Sequence, residues 1–283
     1  MKYGFYPGCS YKSEAGYKES VEAVCRVVGI ELRELPDWNC CGATSMISMN
    51  AEGAHLLTAR VFALACKEGF DAVVTTCNAC YTALRKTRKI LEADPGLLTD
   101  INHQLVAEGL NINLLPKVRH LLEVFYQDVD AAAWTGKAPA GIADITVAAY
   151  YGCQLTRPWG DLDHPERPQM LDDFIKRLGY TVIDHSAKTL CCGASHFFPY
   201  QEQCRPLIEK IIGEARRKGA HMITTLCPLC QLNLDAGQEI RKGPPMPIPY
   251  FTQLAGLALG IPPDTLGLNK LLIPMDILLR KFR

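Results

Sequence analysis

The chain lacks an excess of charge of either sign: its 283 residues carry 30 Lys and Arg against 30 Asp and Glu. That balance argues against nucleic acid as the main partner, because such domains show a basic surplus. No stretch approaches 18 consecutive apolar residues, so no membrane span is expected. The opening MKYGFYPGCS has neither the apolar h-region nor the small-residue cleavage site of a secretory leader. This speaks against a secreted disulfide framework for the 13 cysteines, and a cytoplasmic location is expected. The G-x-G-x-x-G dinucleotide fingerprint is missing. So is the Cys-x2-Cys-x2-Cys-x3-Cys-Pro run of bacterial ferredoxins. No flavin, nicotinamide or ferredoxin-type wire is therefore expected in this chain.

What the chain does have is cysteine, and ten of the 13 form one pattern that occurs twice. The first copy is Cys9, a gap of 30 residues, Cys40-Cys41-Gly42, a gap of 34, then Cys77-x-x-Cys80. The second is Cys153, a gap of 37, Cys191-Cys192-Gly193, a gap of 33, then Cys227-x-x-Cys230. A structural zinc takes four ligands in a tetrahedron. Five thiols, two of them adjacent, suit a larger inorganic core better, and soft thiolates select iron–sulfur clusters as readily as zinc.

The duplication extends beyond the cysteines. A β-rich run ends in Gly-Cys in each copy, at Tyr3 to Cys9 and Ile145 to Cys153. Helical stretches follow at Ser13 to Val28 and Gln169 to Leu178, then strand-like runs at Glu31 to Leu35 and Thr181 to Asp184. Helices with apolar residues at three- and four-residue spacing follow each Cys-Cys-Gly, at Ala51 to Gly69 and Gln201 to Gly219. The β-branched runs DAVVTTC and HMITTLC deliver each Cys-x-x-Cys, and a last strand–helix pair recurs in NLLPKVRHLLEVF and MPIPYFTQLAGLAL. Strands alternating with helices predict an α/β fold: two pseudo-symmetric βα repeats with short parallel sheets and cysteines at strand ends. Residues 1–135 form the first repeat and 145–283 the second, with Asp130 to Ala143 as linker. In parallel sheets ligands bind outside the carboxyl ends of the strands, so the cysteine-bearing ends are expected to meet. After Cys80 the first copy runs through a helical TALRKTRKILEA and a polar loop. Leu271 to Arg283 reads as a partly amphipathic terminal helix.

The double Cys-Cys-Gly (CCG) arrangement resembles the B-type subunit of heterodisulfide reductase over nearly the whole chain, including the PGCS start and the YFTQLAGLALG ending. Other double-CCG proteins serve lactate, glycolate and quinone-linked dehydrogenases. The resemblance implies an oxidoreductase with two noncubane [4Fe-4S] clusters. It gives Cys9, Cys40, Cys41, Cys77 and Cys80 to the first cluster, and Cys153, Cys191, Cys192, Cys227 and Cys230 to the second. It further implies a ferredoxin-like iron–sulfur partner of C type, fed by a flavin-containing partner of A type. The implied substrate is a small-molecule disulfide, the coenzyme M–coenzyme B heterodisulfide or an analogue. Reducing a disulfide takes two electrons and a cluster passes one at a time, so two clusters flanking the bond could each supply one and bind one sulfur.

Among the remaining residues, His196 stands three positions after the second CCG and is a candidate proton donor to a leaving thiolate. Lys12 and Arg157 follow the first cysteine of each repeat, and Lys188 precedes the second CCG. These three cations are candidates for binding an anionic group on the substrate. Cys25, Cys66 and Cys204 fall outside both patterns and are expected to pack as small apolar residues. Two further functions compete with disulfide reduction: an electron-transfer subunit of a quinone-linked or hydroxy-acid dehydrogenase, and a zinc-stabilised scaffold.

Overall fold

The computed structural model describes residues 1–14, 16–43, 46–135, 138–158, 162–238 and 243–280. Its elements alternate as the pattern predicts. Strand β1 (Lys2–Tyr6) leads through a turn to helix α1 (Tyr17–Val28), then to β2 (Glu31–Glu34), a short helix α2 (Met46–Met49) and helix α3 (Ala51–Lys67). Next come β3 (Ala72–Thr75), α4 (Asn78–Ala93), α5 (Pro95–Leu105), β4 (Lys117–His120) and α6 (Leu121–Gln127). The second copy follows as β5 (Thr146–Tyr150), α7 (Met170–Arg177), β6 (Thr181–Ile183), α8 (Gln201–Arg217), β7 (Met222–Thr225), α9 (Pro228–Ala236) and α10 (Phe251–Ala258). A four-residue α11 (Asp276–Leu279) lies in the tail, whose residues 281–283 fall outside the described residues.

Two all-parallel sheets result. The first has strand order β2-β1-β3-β4 and the second β6-β5-β7. The second sheet's counterpart of β4 is reduced to one bridge, Thr225 to Tyr250. The segment there reads Pro247-Ile248-Pro249. Its proline carbonyls accept from Ile223 and Thr225, but proline has no N–H to donate back, so the ladder stops.

The chain forms two compact units, the first of Met1–Cys9 with Ile30–Leu121, the second of Ser10–Gly29 with Leu122–Arg283. The first unit holds the four-stranded sheet. Helix α3 covers it with buried Val61, Phe62 and Leu64, starting where the Asn50 side chain accepts from the Gly53 amide at 2.9 Å. The segment expected as a polar loop after α4 is instead helix α5. Pro95 occupies its first turn, and the Asp94 carboxylate accepts from the Leu97 amide at 3.0 Å.

The second unit centres on aromatic side chains. Phe125, Trp134, Phe174 and Phe251 meet edge-on or tilted, with centroids 5.0 to 6.1 Å apart. Trp134 lies in the stretch expected as linker, of which residues 136–137 fall outside the described residues; its ring is fully buried. Helix α1 belongs to this unit and packs on α10. Tyr17 stacks on Tyr250 at 3.8 Å and donates to the Leu226 carbonyl at 2.8 Å, while Ser20 and Thr252 share a hydroxyl–hydroxyl bond of 2.7 Å.

Candidate metal centres

Each site is assembled where strands end. In the first, β1 runs out at Tyr6, the chain turns through Gly8 (φ +72°), and Cys9 follows. Cys77 continues extended from β3 and caps α4, so Cys80 sits in that helix's first turn. The CCG loop between β2 and α3 supplies Cys40 and Cys41. Cys41 and Cys80 sulfurs stand 3.4 Å apart. Cys40 also bonds Cys41, Cys77 bonds Cys80, and the charge of Cys9 reaches Cys41. All five predicted thiols of the first set are thus brought together. Hydrogen bonding with Cys40 and Cys80 pushes Cys41 down to about 4, whereas bonding with Cys41 and Cys77, together with burial, pushes Cys80 up. Thiolates are the form that binds metal, and Cys41 is the thiol of the pair drawn toward that form.

The second site repeats the plan. Cys192 and Cys230 sulfurs are 3.7 Å apart, and Cys230 also bonds Cys227. Cys153 bonds Cys191, whose sulfur accepts from the Gly193 amide at 3.4 Å. Cys191 is held down at about 6 by Cys153 first, then by the Gly193 amide and the nearby His196. Cys153 is pushed up by the same bond to Cys191 and by burial. Helices α4 and α9 begin immediately after Cys77 and Cys227, so their positive ends face the sulfurs.

Sequence pattern alone misses the side chains that hold these loops. Tyr6 donates to the Asn39 carbonyl at 2.8 Å, and Tyr150 donates to the Leu190 carbonyl at 2.7 Å. Each acceptor is the residue before a Cys-Cys pair. Burial first, then the charges of the cysteines around them, pushes both phenols up, so they remain donors. The signal is present as Tyr-x-Gly-Cys in both copies. The carbonyl of the second adjacent cysteine is also capped, by Thr58 on Cys41 at 2.9 Å and by Asn233 on Cys192 at 3.2 Å.

Five thiols per site exceed the positions of a structural zinc. Among the described residues, no three His, Cys, Asp or Glu side chains are arranged to hold a single ion. Instead the thiols of the first site run on from one to the next, Cys40 to Cys41 to Cys80 to Cys77, and glycine lets backbone come close to them: a Cβ at Gly8 would lie 2.8 Å from the Cys80 sulfur. This soft, glycine-lined donor set fits an iron–sulfur core.

Residues 3–85 and 147–235 match the CCG cysteine-rich domain, which accounts for most of the chain in two copies. The chain belongs to the CCG family. Among curated relatives, it is 34% identical to the 8-methylmenaquinol:fumarate reductase membrane anchor subunit of Wolinella succinogenes, over 95% of both chains. It is 26% identical to the B-type subunit of the ferredoxin/F420H2-dependent CoB-CoM heterodisulfide reductase of Methanosarcina acetivorans. It is 27% identical to the B-type subunit of the ferredoxin:CoB-CoM heterodisulfide reductase of Methanosarcina mazei. Each of these two matches covers 95% of this chain and 93% of the relative. A crystal structure of a hypothetical protein from Helicobacter pylori shares the fold, with a TM-score of 0.76 at 12% identity over 96% of this chain. This chain spans about half (52%) of that structure. No helix among the described residues is long and apolar enough to cross a membrane.

The other candidate residues stand at different distances from the CCG loops. His196 ends the 3-10 turn Ala194–His196, exposed and close enough to Cys191 for its charge to be felt. Lys12 is exposed in the turn ahead of α1. Arg157 is engaged, bonding the Pro165 carbonyl at 3.3 Å and Glu166 at 3.0 Å in its own loop and Thr189 at 3.0 Å in the loop ahead of Cys191. Lys188 is buried, its ammonium held by Asp172 at 2.9 Å and Asp184 at 3.0 Å. Asp172 also accepts from the Tyr151 hydroxyl, and the Lys188 carbonyl accepts from the amides of Tyr151 and Gly152, next to Cys153. Cys204 lies under the second CCG turn: a Cβ at Gly193 (φ +96°) would meet its sulfur at 2.5 Å. In the first repeat Ala54 takes that place beneath Gly42. Cys25 is buried in α1, and Cys66 is half-buried with its thiol donating to the Leu114 carbonyl.

Proposed function

We propose that this CCG chain is the catalytic iron–sulfur subunit of a multi-subunit heterodisulfide reductase-type complex. In this reading it reduces a thiol–thiol disulfide in two one-electron steps, using two noncubane [4Fe-4S] clusters. The observation that carries the reading is that both five-cysteine sets are complete and each is gathered at strand ends. An iron–sulfur cluster supplies reversible one-electron transfer when bound. Cys9, Cys40, Cys41, Cys77 and Cys80 would hold one, and Cys153, Cys191, Cys192, Cys227 and Cys230 the other. Breaking one disulfide into two thiols consumes two electrons and two protons. His196, exposed beside Cys191, is the side chain offered to deliver a proton. Lys12 would attract an anionic substrate group. Arg157 and Lys188 would act through the loops they fix beside Cys153 and Cys191. The electrons would come from a ferredoxin-like subunit served by a flavin-containing one.

A second reading is favoured by the relative at 34% identity, whose name places it in a quinol:fumarate reductase. There the two sites would relay electrons for a quinone-linked reaction, and no thiol pocket would be needed.

Metal analysis of anaerobically purified protein tests the common part. About eight irons per chain are expected for two [4Fe-4S] clusters. Iron near half that figure, with zinc in the other set, would remove the two-cluster mechanism. Turnover then separates the readings. With a reduced one-electron donor, a panel of low-molecular-weight disulfides should be consumed. Oxidation of a menaquinol analogue, with every disulfide inert, would establish the relay instead.

A further inference from the structure

We propose that the hydroxyls of Thr75 and Thr225 donate hydrogen bonds to the sulfur of the clusters at the first and second sites and raise their reduction potentials. This rests on the iron–sulfur reading above. The two threonines end equivalent strands, β3 and β7, two residues before Cys77 and Cys227. Sheet register sets Thr75 between Tyr6 and His120, and Thr225 between Tyr150 and Tyr250. Side chains in register on parallel strands share a face. Each threonine therefore stands on the same face as the tyrosine that holds its CCG loop, and Cys77 and Cys227 continue the chain in extended conformation (φ −115° and −119°).

Both residues are fully buried, and both hydroxyls have no hydrogen-bond partner among the described residues. The neighbouring Thr224 shows what is usual. It points to the opposite face and donates to the Pro249 carbonyl at 3.0 Å. One strand thus satisfies its hydroxyl on the far face and leaves it unmatched on the site face, and the first repeat has the same orphan at the same place. Buried hydroxyls are rarely left without an acceptor. A cluster's anionic sulfur is an acceptor of the right character, and a donor aimed at it stabilises the more negative, reduced form.

The test uses Thr75→Val and Thr225→Val in the full chain, each close to isosteric, with iron content measured first and potentials by anaerobic redox titration. Each valine variant is expected to keep wild-type iron and to lower the midpoint potential of the cluster in its own repeat only. Unchanged potentials with full iron would overturn the proposal while leaving the cluster reading intact. Wild-type protein without iron would overturn both. Where a valine variant fails to load iron, the serine variant decides. Loading at the wild-type potential supports the hydroxyl, and failure to load assigns the residue to packing and overturns the proposal.

Discussion

The Tyr150 hydroxyl donates to the carbonyl of Leu190 at 2.7 Å, which ties the end of β5 to the residue ahead of Cys191 and Cys192. The bond lets one strand end fix two separate parts of the second site, since Cys153 follows Tyr150 by three residues. Tyr150→Phe keeps the ring and removes only the bond. A net loss of about 1 kcal/mol in unfolding free energy is expected. Iron retention at the second site should fall, while the spectrum of the first-repeat cluster is unchanged. Loss of both signals together would show a fold-wide effect instead.

Lys188 is the only cation that the buried Asp172 carboxylate meets at ion-pair distance among the described residues. Lys188→Met leaves that carboxylate buried without its cation and should destabilise the chain by about 3–5 kcal/mol. Adding Asp172→Asn should recover much of the loss. Denaturant melts of the two single variants and the double variant measure the coupling.

His185 is buried, with Nε2 donating to the Ala149 carbonyl at 2.9 Å. Burial first, and the charge of Lys188, hold its pKa below the ordinary imidazole value. The folded state therefore binds fewer protons than the unfolded state. The stability it contributes is present above an unfolded pKa of about 6.5 and is lost as the pH falls below that value toward the folded pKa. His185→Gln keeps a donor without the titration. Its melting temperature should fall less steeply than that of wild type as the pH drops below about 6.5.

If both sites are needed for one two-electron event, Cys192→Ser and Cys41→Ser should each abolish turnover. Each variant should keep the cluster of the untouched repeat, verified by iron content and spectrum. About half the wild-type rate with one cluster lost would show the two sites working independently.

Much of the fold is legible in the chain because strand ends, helix stops and cysteine spacing are all local signals. The strands before Cys77 and Cys227 and helices α3 and α8 fall where the periodicity puts them. Helix α5 reads as loop because it opens on Pro95-Gly96, a turn signal, although Asp94-Pro95 is also an N-terminal cap signature. Lys188 reads as a cation free to meet substrate because its counter-ion Asp172 lies on another element, a pairing no spacing rule reveals. The Tyr6 and Tyr150 bonds escape because their acceptors are backbone carbonyls, which leave no mark on side-chain composition.

Helix α1 is made early and finished late. Its partners Tyr250, Thr252 and the Leu226 carbonyl all lie more than 200 residues downstream. During synthesis, Tyr17 and Val21 must wait on the ribosome without their cover until nearly the whole chain has emerged. Contacts of such sequence separation are slow to form. Translation stopped after the first repeat would leave the face of this helix that carries Tyr17, Val21 and Val24 open to solvent.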